Sequence, residues 1–93
     1  MAAWFSRRVI EGERPGYVER TSDRINKFDS GWRFYVGDES QEYLDTAENC
    51  VMQHLGHALE RWPDVANLIT TAPAAGEWIW DGAEARFRPL DAE

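Results

Sequence analysis

The chain has 93 residues, of which 43% are hydrophobic, and a formal net charge of −7. A chain of this length buries only about 60 to 65% of its unfolded surface, which leaves material for one core and predicts a single domain over residues 1–93. The negative charge disfavours nucleic acid and anionic membranes as partners and favours a cationic protein.

The N-terminal third predicts a β-hairpin. Residues 4–10 and 17–21 are rich in side chains that favour strands, and the segment E-G-E-R-P-G between them supplies turn residues. The two strands are therefore expected to pair with each other. Glycine and proline in the connection make it too irregular to extend either strand.

A tight turn and a third strand are predicted next. Asp29, Ser30 and Gly31 have the residue types of a turn, because Asp can bond the backbone ahead and Gly tolerates positive φ. Residues 32–36 alternate with a period of two, which predicts a strand. Its expected core face carries Trp32, Phe34 and Val36, and Gly37 ends it.

The middle of the chain predicts two or three helices. A short helix is expected to run through Leu44, capped by Asp38, Glu39 or Ser40. Apolar residues at helical spacing predict an amphipathic helix over residues 48–62. Pro63 then ends that helix or begins another one, whose inward side chains are Val65, Leu68 and Ile69.

The C-terminal segment predicts a second hairpin, in which Asp81 and Gly82 form a two-residue turn. That register pairs three sets of residues: Trp80 with Ala83, Trp78 with Ala85, and Glu77 with Arg86. The predicted fold class is α+β. An antiparallel sheet of four or five strands, made of two hairpins and a central strand, carries the helices of the middle segment on one face.

Three residues favour a metal site or a metal-dependent enzyme. On a helix, Cys50, His54 and His57 would share one face at i, i+4 and i+7. Arg61 continues the same stripe and would repel a cation, and no fourth ligand or established zinc motif is nearby. The sequence therefore predicts no metal and no cofactor, and it lacks the glycine patterns that bind phosphate.

The sequence does not point to a specific group of catalytic residues either. Ser30, Asp29 and one of the two histidines could form a nucleophilic set, but the predicted turn already explains Ser30 and Asp29. Pairs of acids near a helix start could act as general acid and base, but helix capping already explains them. Nothing in the chain fixes a nucleophile, a base and a group that orients the base. The protein is therefore predicted not to be an enzyme.

An acidic segment is the best candidate for partner binding. Residues 34–60 contain six acids and no Lys or Arg, whereas residues 1–33 contain seven bases and five acids. Such a run repels itself, which a solvated surface does not require, so it favours docking to a positively charged protein. The predicted partner-binding residues are Asp38, Glu39, Glu42, Asp45 and Tyr35.

Two features bear on location. Cys50 is the only cysteine, which fits a reducing compartment. The first ten residues lack the apolar run of a signal peptide, and no segment approaches the roughly 18 apolar residues of a membrane span. A cytoplasmic protein is expected.

Several short motifs occur together in the chain: D-S-G-W-R-F, then G-D-E and E-Y-L, then a closing G-x-W-x-W-D-G. With them the chain resembles a small bacterial family long classed as a domain of unknown function and since grouped with the predicted immunity proteins of polymorphic toxin systems. The residues that match its most specific part are Asp29, Ser30, Gly31, Trp32, Gly37, Asp38 and Glu39. The resemblance implies an α+β domain without enzymatic activity that neutralises a toxin.

Three functional hypotheses remain open. The first is a non-enzymatic immunity protein that neutralises a cationic toxin through its acidic surface. The second keeps the fold but makes the chain a small regulatory or ligand-binding module, with a concave sheet face that grips a small molecule or peptide. The third is the metal-dependent enzyme built on Cys50, His54 and His57.

Overall fold

A computed structural model describes residues 1–24, 26–73 and 75–90. These residues form six strands and four α-helices, with one 3-10 turn at Ala47–Asn49. In chain order they are β1 (Ala2–Ser6), α1 (Arg7–Ile10), β2 (Tyr17–Arg20), β3 (Asp29–Tyr35), α2 (Gln41–Asp45), β4 (Cys50–His54), α3 (Gly56–Arg61), α4 (Pro63–Thr71), β5 (Gly76–Asp81) and β6 (Arg86–Pro89).

All six strands form one mixed sheet in the order β4-β1-β3-β2-β5-β6. The pair β1 and β3 is parallel and every other neighbouring pair is antiparallel. The α+β class is confirmed, but the purely antiparallel sheet and the first hairpin are wrong. The first strand ends at Ser6, where α1 begins, and β3 then inserts between β1 and β2.

The predicted helix over residues 48–62 is also wrong in its first half. Residues 50–54 form β4, which pairs with β1 so that Val51 lies opposite Phe5. A few alternating residues fit a strand as well as a helix, and pairing with β1 decided between them. The helical pattern holds only for α3, where Ala58 is buried.

The helix that begins at Pro63 is confirmed. Pro63 occupies the first turn of α4, where its missing N–H costs no hydrogen bond. Val65 and Leu68 are buried and Ile69 is half-buried against the core, as the spacing predicted. The short α2 is confirmed as well, and Ser40 is its N-cap: the Ser40 hydroxyl accepts a hydrogen bond from the Tyr43 N–H.

The second hairpin exists with a different register. Trp80 lies opposite Phe87 and Asp81 opposite Arg86, so four residues rather than two connect the strands. The Asp81 carboxylate accepts hydrogen bonds from the Ala83 and Glu84 amides at 3.0 and 3.1 Å. These bonds stabilise the longer turn, which shifts every predicted pair.

One face of the sheet forms the core. Trp32 and Phe34 of β3 are buried there as predicted, with their ring centroids 6.1 Å apart, and Trp32 also lies 5.6 Å from Trp78. The same cluster contains Ala58 of α3, Val65 and Leu68 of α4, and Trp62 between the two helices. None of the helices in the described ranges is long and apolar enough to cross a membrane.

The other face of the sheet is called the second face below. Because side chains alternate along a strand, it carries the residues between the core positions. In the three adjacent strands β3, β2 and β5 these are Tyr17 and Glu19 of β2, Arg33 and Tyr35 of β3, and Glu77 and Ile79 of β5.

Candidate functional site

The first motif residue, Asp29, lies in the interior at the start of β3. Its carboxylate is fully buried, and each oxygen is 2.9 Å from a guanidinium nitrogen of Arg33, which is 8% exposed. One carboxylate oxygen also accepts the Gly31 N–H at 2.8 Å. Such two-point pairing is strong and directional. Asp29 therefore holds the fold and presents no oxygen to a partner.

The rest of that motif is structural too. The Ser30 hydroxyl accepts a hydrogen bond from the Trp32 amide at 3.3 Å. Gly31 has φ of 87°, and a Cβ on it would overlap the Thr21 carbonyl oxygen. The turn predicted here is thus a kink inside a strand rather than a connection between elements.

The acidic corner after β3 is partly occupied by its own neighbours. The Asp38 carboxylate lies 2.5 Å from the Arg8 guanidinium, which also pairs with Glu13. The Glu39 carboxylate accepts the backbone N–H groups of Val36 and Gly37, each at 2.8 Å. Two of the four predicted docking acids therefore have partners within the chain: Asp38 pairs with Arg8, and Glu39 closes a turn at Gly37, whose φ of 114° suits glycine.

The pKa of Glu39 lies below its ordinary value. Partial burial by itself would raise this pKa, but the Ser6 side chain and the Val36 and Gly37 amides favour the charged form and outweigh burial. A carboxylate held this way stabilises the fold above the unfolded-state pKa of about 4.3. The stabilisation disappears as the pH falls through the lower folded-state pKa.

A Glu39→Gln substitution tests this directly. We expect a loss of about 1 kcal/mol in the free energy of unfolding at pH 7, because the neutral amide keeps one acceptor oxygen and loses the charge. At pH 3 the difference from wild type should shrink, since this pH lies below the unfolded-state pKa of about 4.3 and the stabilisation by the charged carboxylate is lost as the pH falls. Urea denaturation at both pH values measures it. Glu42→Gln is the control, and an equal deficit for Glu39→Gln at both pH values would contradict the account.

The other two predicted acids, Glu42 and Asp45, lie on the exposed surface of α2. Asp45 accepts a hydrogen bond from the Gln41 side-chain amide at 2.8 Å. Within the described ranges no basic side chain forms an ion pair with either carboxylate. Their charge is therefore available to a partner.

Tyr35 lies on the second face, beside residues that were not predicted as site residues from the sequence. Its ring stacks on Tyr17 with centroids 5.7 Å apart. An open pocket of about 290 Å³ next to this pair is lined by Tyr17, Glu19, Tyr35, Gly37, Glu39 and Leu44. Tyr35 and Glu39 thus share a pocket, which Asp38, Glu42 and Asp45 do not line.

Two glutamates add negative charge to the second face. Glu19 and Glu77 are cross-strand partners on β2 and β5, an arrangement in which like charges repel. The Tyr17 hydroxyl donates a hydrogen bond to Glu77, and neither glutamate forms an ion pair with a described base. Burial, followed by the Glu77 bond, raises the pKa of Tyr17; burial and the charge of Glu19 raise that of Tyr35. The alternation of Tyr17 and Glu19 with Val18 in the sequence was the available signal.

The proposed metal ligands do not share a helix face. Cys50 and His54 lie on β4 and His57 lies on α3, so the i, i+4, i+7 argument no longer applies. The His54 Nδ1 accepts the Gly56 N–H at 3.0 Å. Within the described ranges no three His, Cys, Asp or Glu residues are grouped to hold a metal ion. The shared helix face expected for Cys50, His54 and His57 is therefore wrong.

The sequence matches a known protein family. The family model described as the immunity protein Imm33 domain matches residues 3–88. A search of curated proteins and a search of solved structures gave no match.

Proposed function

The chain belongs to the immunity protein Imm33 domain family, and from this premise we propose that it neutralises a toxin by binding it. The family match over residues 3–88 is the observation that carries the proposal. Binding alone suffices for such a role, because a partner that occupies the working site of a toxin blocks it without chemistry. No enzymatic step is part of the proposal.

The proposed partner is cationic. Glu42 and Asp45 are exposed and lack basic partners among the described residues, and Glu19 and Glu77 add charge on the second face. Glu39 adds charge beside the pocket, because the Val36 and Gly37 amides that contact it favour its charged form. Tyr35 and Tyr17 contribute aromatic surface of the kind that is enriched at interfaces. A positively charged toxin would be steered toward this side of the molecule.

Charge neutralisation on α2 provides a kinetic test. In the double variant Glu42→Gln/Asp45→Asn, we expect the association rate with the toxin to fall by about threefold to tenfold, because electrostatic steering acts mainly on this rate. The probe is the toxin that the tagged chain captures from its native cell. Stopped-flow or surface-based kinetics at low salt would measure the rate.

The matched control removes two acids elsewhere, as Glu60→Gln/Glu84→Gln. It changes the net charge equally and should alter the rate by less than about twofold. Added salt should remove the difference between the two variants, since ions screen exposed charges beyond a Debye length of about 10 Å at 0.1 M. Equal rates for wild type and the α2 variant at low salt would remove the acidic surface from the proposal.

Two further proposals are a cytoplasmic location and, in place of a protein partner, a small ligand. The pocket beside Tyr17 and Tyr35 has the volume and the mixed aromatic and acidic lining for a small cation. Isothermal titration with arginine and with spermidine would show such a ligand. Family membership favours the toxin as the primary partner.

A further inference from the structure

The two edges of the sheet differ in how they are protected. The edge strand β6 carries exposed Arg86 and Arg88 and ends at Pro89, which are residues that discourage pairing with another strand. The opposite edge strand, β4, has the sequence C-V-M-Q-H, without a Lys, Arg, Asp, Glu or Pro. Its five residues are half-buried apart from the exposed His54. β4 therefore lacks the charges and prolines that block strand addition.

The register shows which backbone groups of β4 face outward. The Leu55 N–H donates to the Met1 carbonyl, so these residues form a hydrogen-bonded pair of the antiparallel ladder. Such pairs alternate with pairs whose backbone groups point away from each other. Val51 and Gln53 therefore bond to β1, whereas the backbone groups of Met52 and His54 point away from the sheet.

The outward groups have no backbone partner in the part of the chain that the structure describes. β1 is the only strand next to β4 there, and no turn or loop bond involves Met52 or His54. The Cys50 N–H differs, because it closes the preceding turn on the Ala47 carbonyl. An extended chain can therefore pair with the outward-facing backbone groups of Met52 and His54 and with the Cys50 carbonyl.

Charge beside this edge indicates the kind of chain that fits. Glu42 and Asp45 on α2 and Glu48 in the 3-10 turn are exposed and precede β4 in the chain. Arg7 contacts the Glu48 carbonyl oxygen at 2.8 Å and forms no ion pair with its carboxylate. A second copy of this chain fits poorly, because each copy has a net charge of −7 and the copies repel each other.

We propose that β4 binds an extended basic segment of the toxin as an added seventh strand. Met52 and His54 supply backbone hydrogen bonds, and a Lys or Arg near one end of the added strand meets the Glu48 carboxylate. This inference rests on the proposed function and adds to it the mode of binding. Main-chain bonding would give affinity, and the acids would select a basic strand.

A proline at position 52 separates this mode from other contacts. Met52→Pro removes one outward N–H and puts a ring in the path of an incoming strand, while the bonds of Val51 and Gln53 to β1 remain. We expect toxin affinity to fall by about thirtyfold to a hundredfold. Met52→Ala, which removes the side chain and keeps the N–H, should lose less than about threefold.

Hydrogen exchange on the wild-type chain gives a second readout that does not depend on a variant folding. In the complex, the amides of Met52 and His54 should exchange at least about tenfold more slowly than in the free chain. The amides of Val51 and Gln53 bond to β1 in both states and should change much less. Two-dimensional NMR of labelled chain with unlabelled toxin resolves the four amides.

The outcomes distinguish the two proposals. Binding of the toxin without protection of Met52 and His54, or with equal affinity for Met52→Pro, overturns strand addition and leaves the proposed function intact. A wild-type chain that does not bind the toxin overturns both. A wild-type dimer in light scattering that Met52→Pro converts to a monomer would assign the edge to a second copy and overturn the toxin strand.

Discussion

Replacement of Asp29 by alanine is expected to remove about 3 to 5 kcal/mol from the free energy of unfolding. The variant leaves the Arg33 guanidinium in the interior, 8% exposed, without an opposite charge. Its remaining acceptors are the Trp32 and Asp23 carbonyls at 3.1 and 3.4 Å, which do not neutralise it. A domain of this size has a total stability of about 5 to 15 kcal/mol, so a large part would be lost.

Two companion variants isolate the cause of that loss. Asp38→Ala breaks another aspartate–arginine pair, but the Asp38 side chain is 72% exposed, so less than about 1 kcal/mol should be lost. The double variant Asp29→Ala/Arg33→Leu should recover part of the stability, because no charge then remains buried. Urea denaturation followed by tryptophan fluorescence measures all three. A loss for Asp29→Ala no larger than that for Asp38→Ala would contradict the buried pair.

Replacement of Gly31 by alanine is the second large effect, with an expected loss of about 2 to 5 kcal/mol. A φ of 87° costs a residue with a Cβ about 1 to 2 kcal/mol. In addition, the new Cβ would overlap the Thr21 carbonyl oxygen. This oxygen is part of the backbone, so it can move away only if the backbone between β2 and β3 moves. Overpacking of this kind typically adds about 1 to 3 kcal/mol.

Two other glycines serve as controls. Gly37 has φ of 114°, but the nearest atom to an added Cβ is 3.6 Å away, so Gly37→Ala should lose only the backbone contribution of about 1 to 2 kcal/mol. Gly82 has neither a positive φ nor a close contact, and Gly82→Ala should be nearly neutral. Thermal unfolding by circular dichroism would rank the three variants. Equal losses for Gly31→Ala and Gly37→Ala would show that the overlap is relieved at little cost.

The elements that could be predicted from the sequence are those fixed by local chemistry. The alternation of β3, the Ser40 cap of α2 and the proline at the start of α4 each depend on neighbouring residues, and each is found in the structure. Residues 50–54 could not be assigned this way, because their pattern fits both periods and β1 supplies the deciding hydrogen bonds. The hairpin register failed because the Asp81 carboxylate bonds two amides that a two-residue turn does not contain.

The candidate site shows the same division. The exposure of Glu42 and Asp45 follows from their place on a short polar helix. Asp38 pairs with Arg8, which lies 30 positions earlier in the chain, and no local sequence pattern reveals this contact. Tyr17 and Glu19 face Tyr35 and Glu77 only because β2 lies between β3 and β5, an order that depends on the whole sheet.

The most direct test of the central claim is the growth of a host cell that produces the toxin captured by this chain from its native cell. Co-production of the wild-type chain should restore growth, and the two purified proteins should elute together as one complex in size-exclusion chromatography. Growth that stays arrested while both proteins are produced, together with separate elution, would contradict neutralisation by binding.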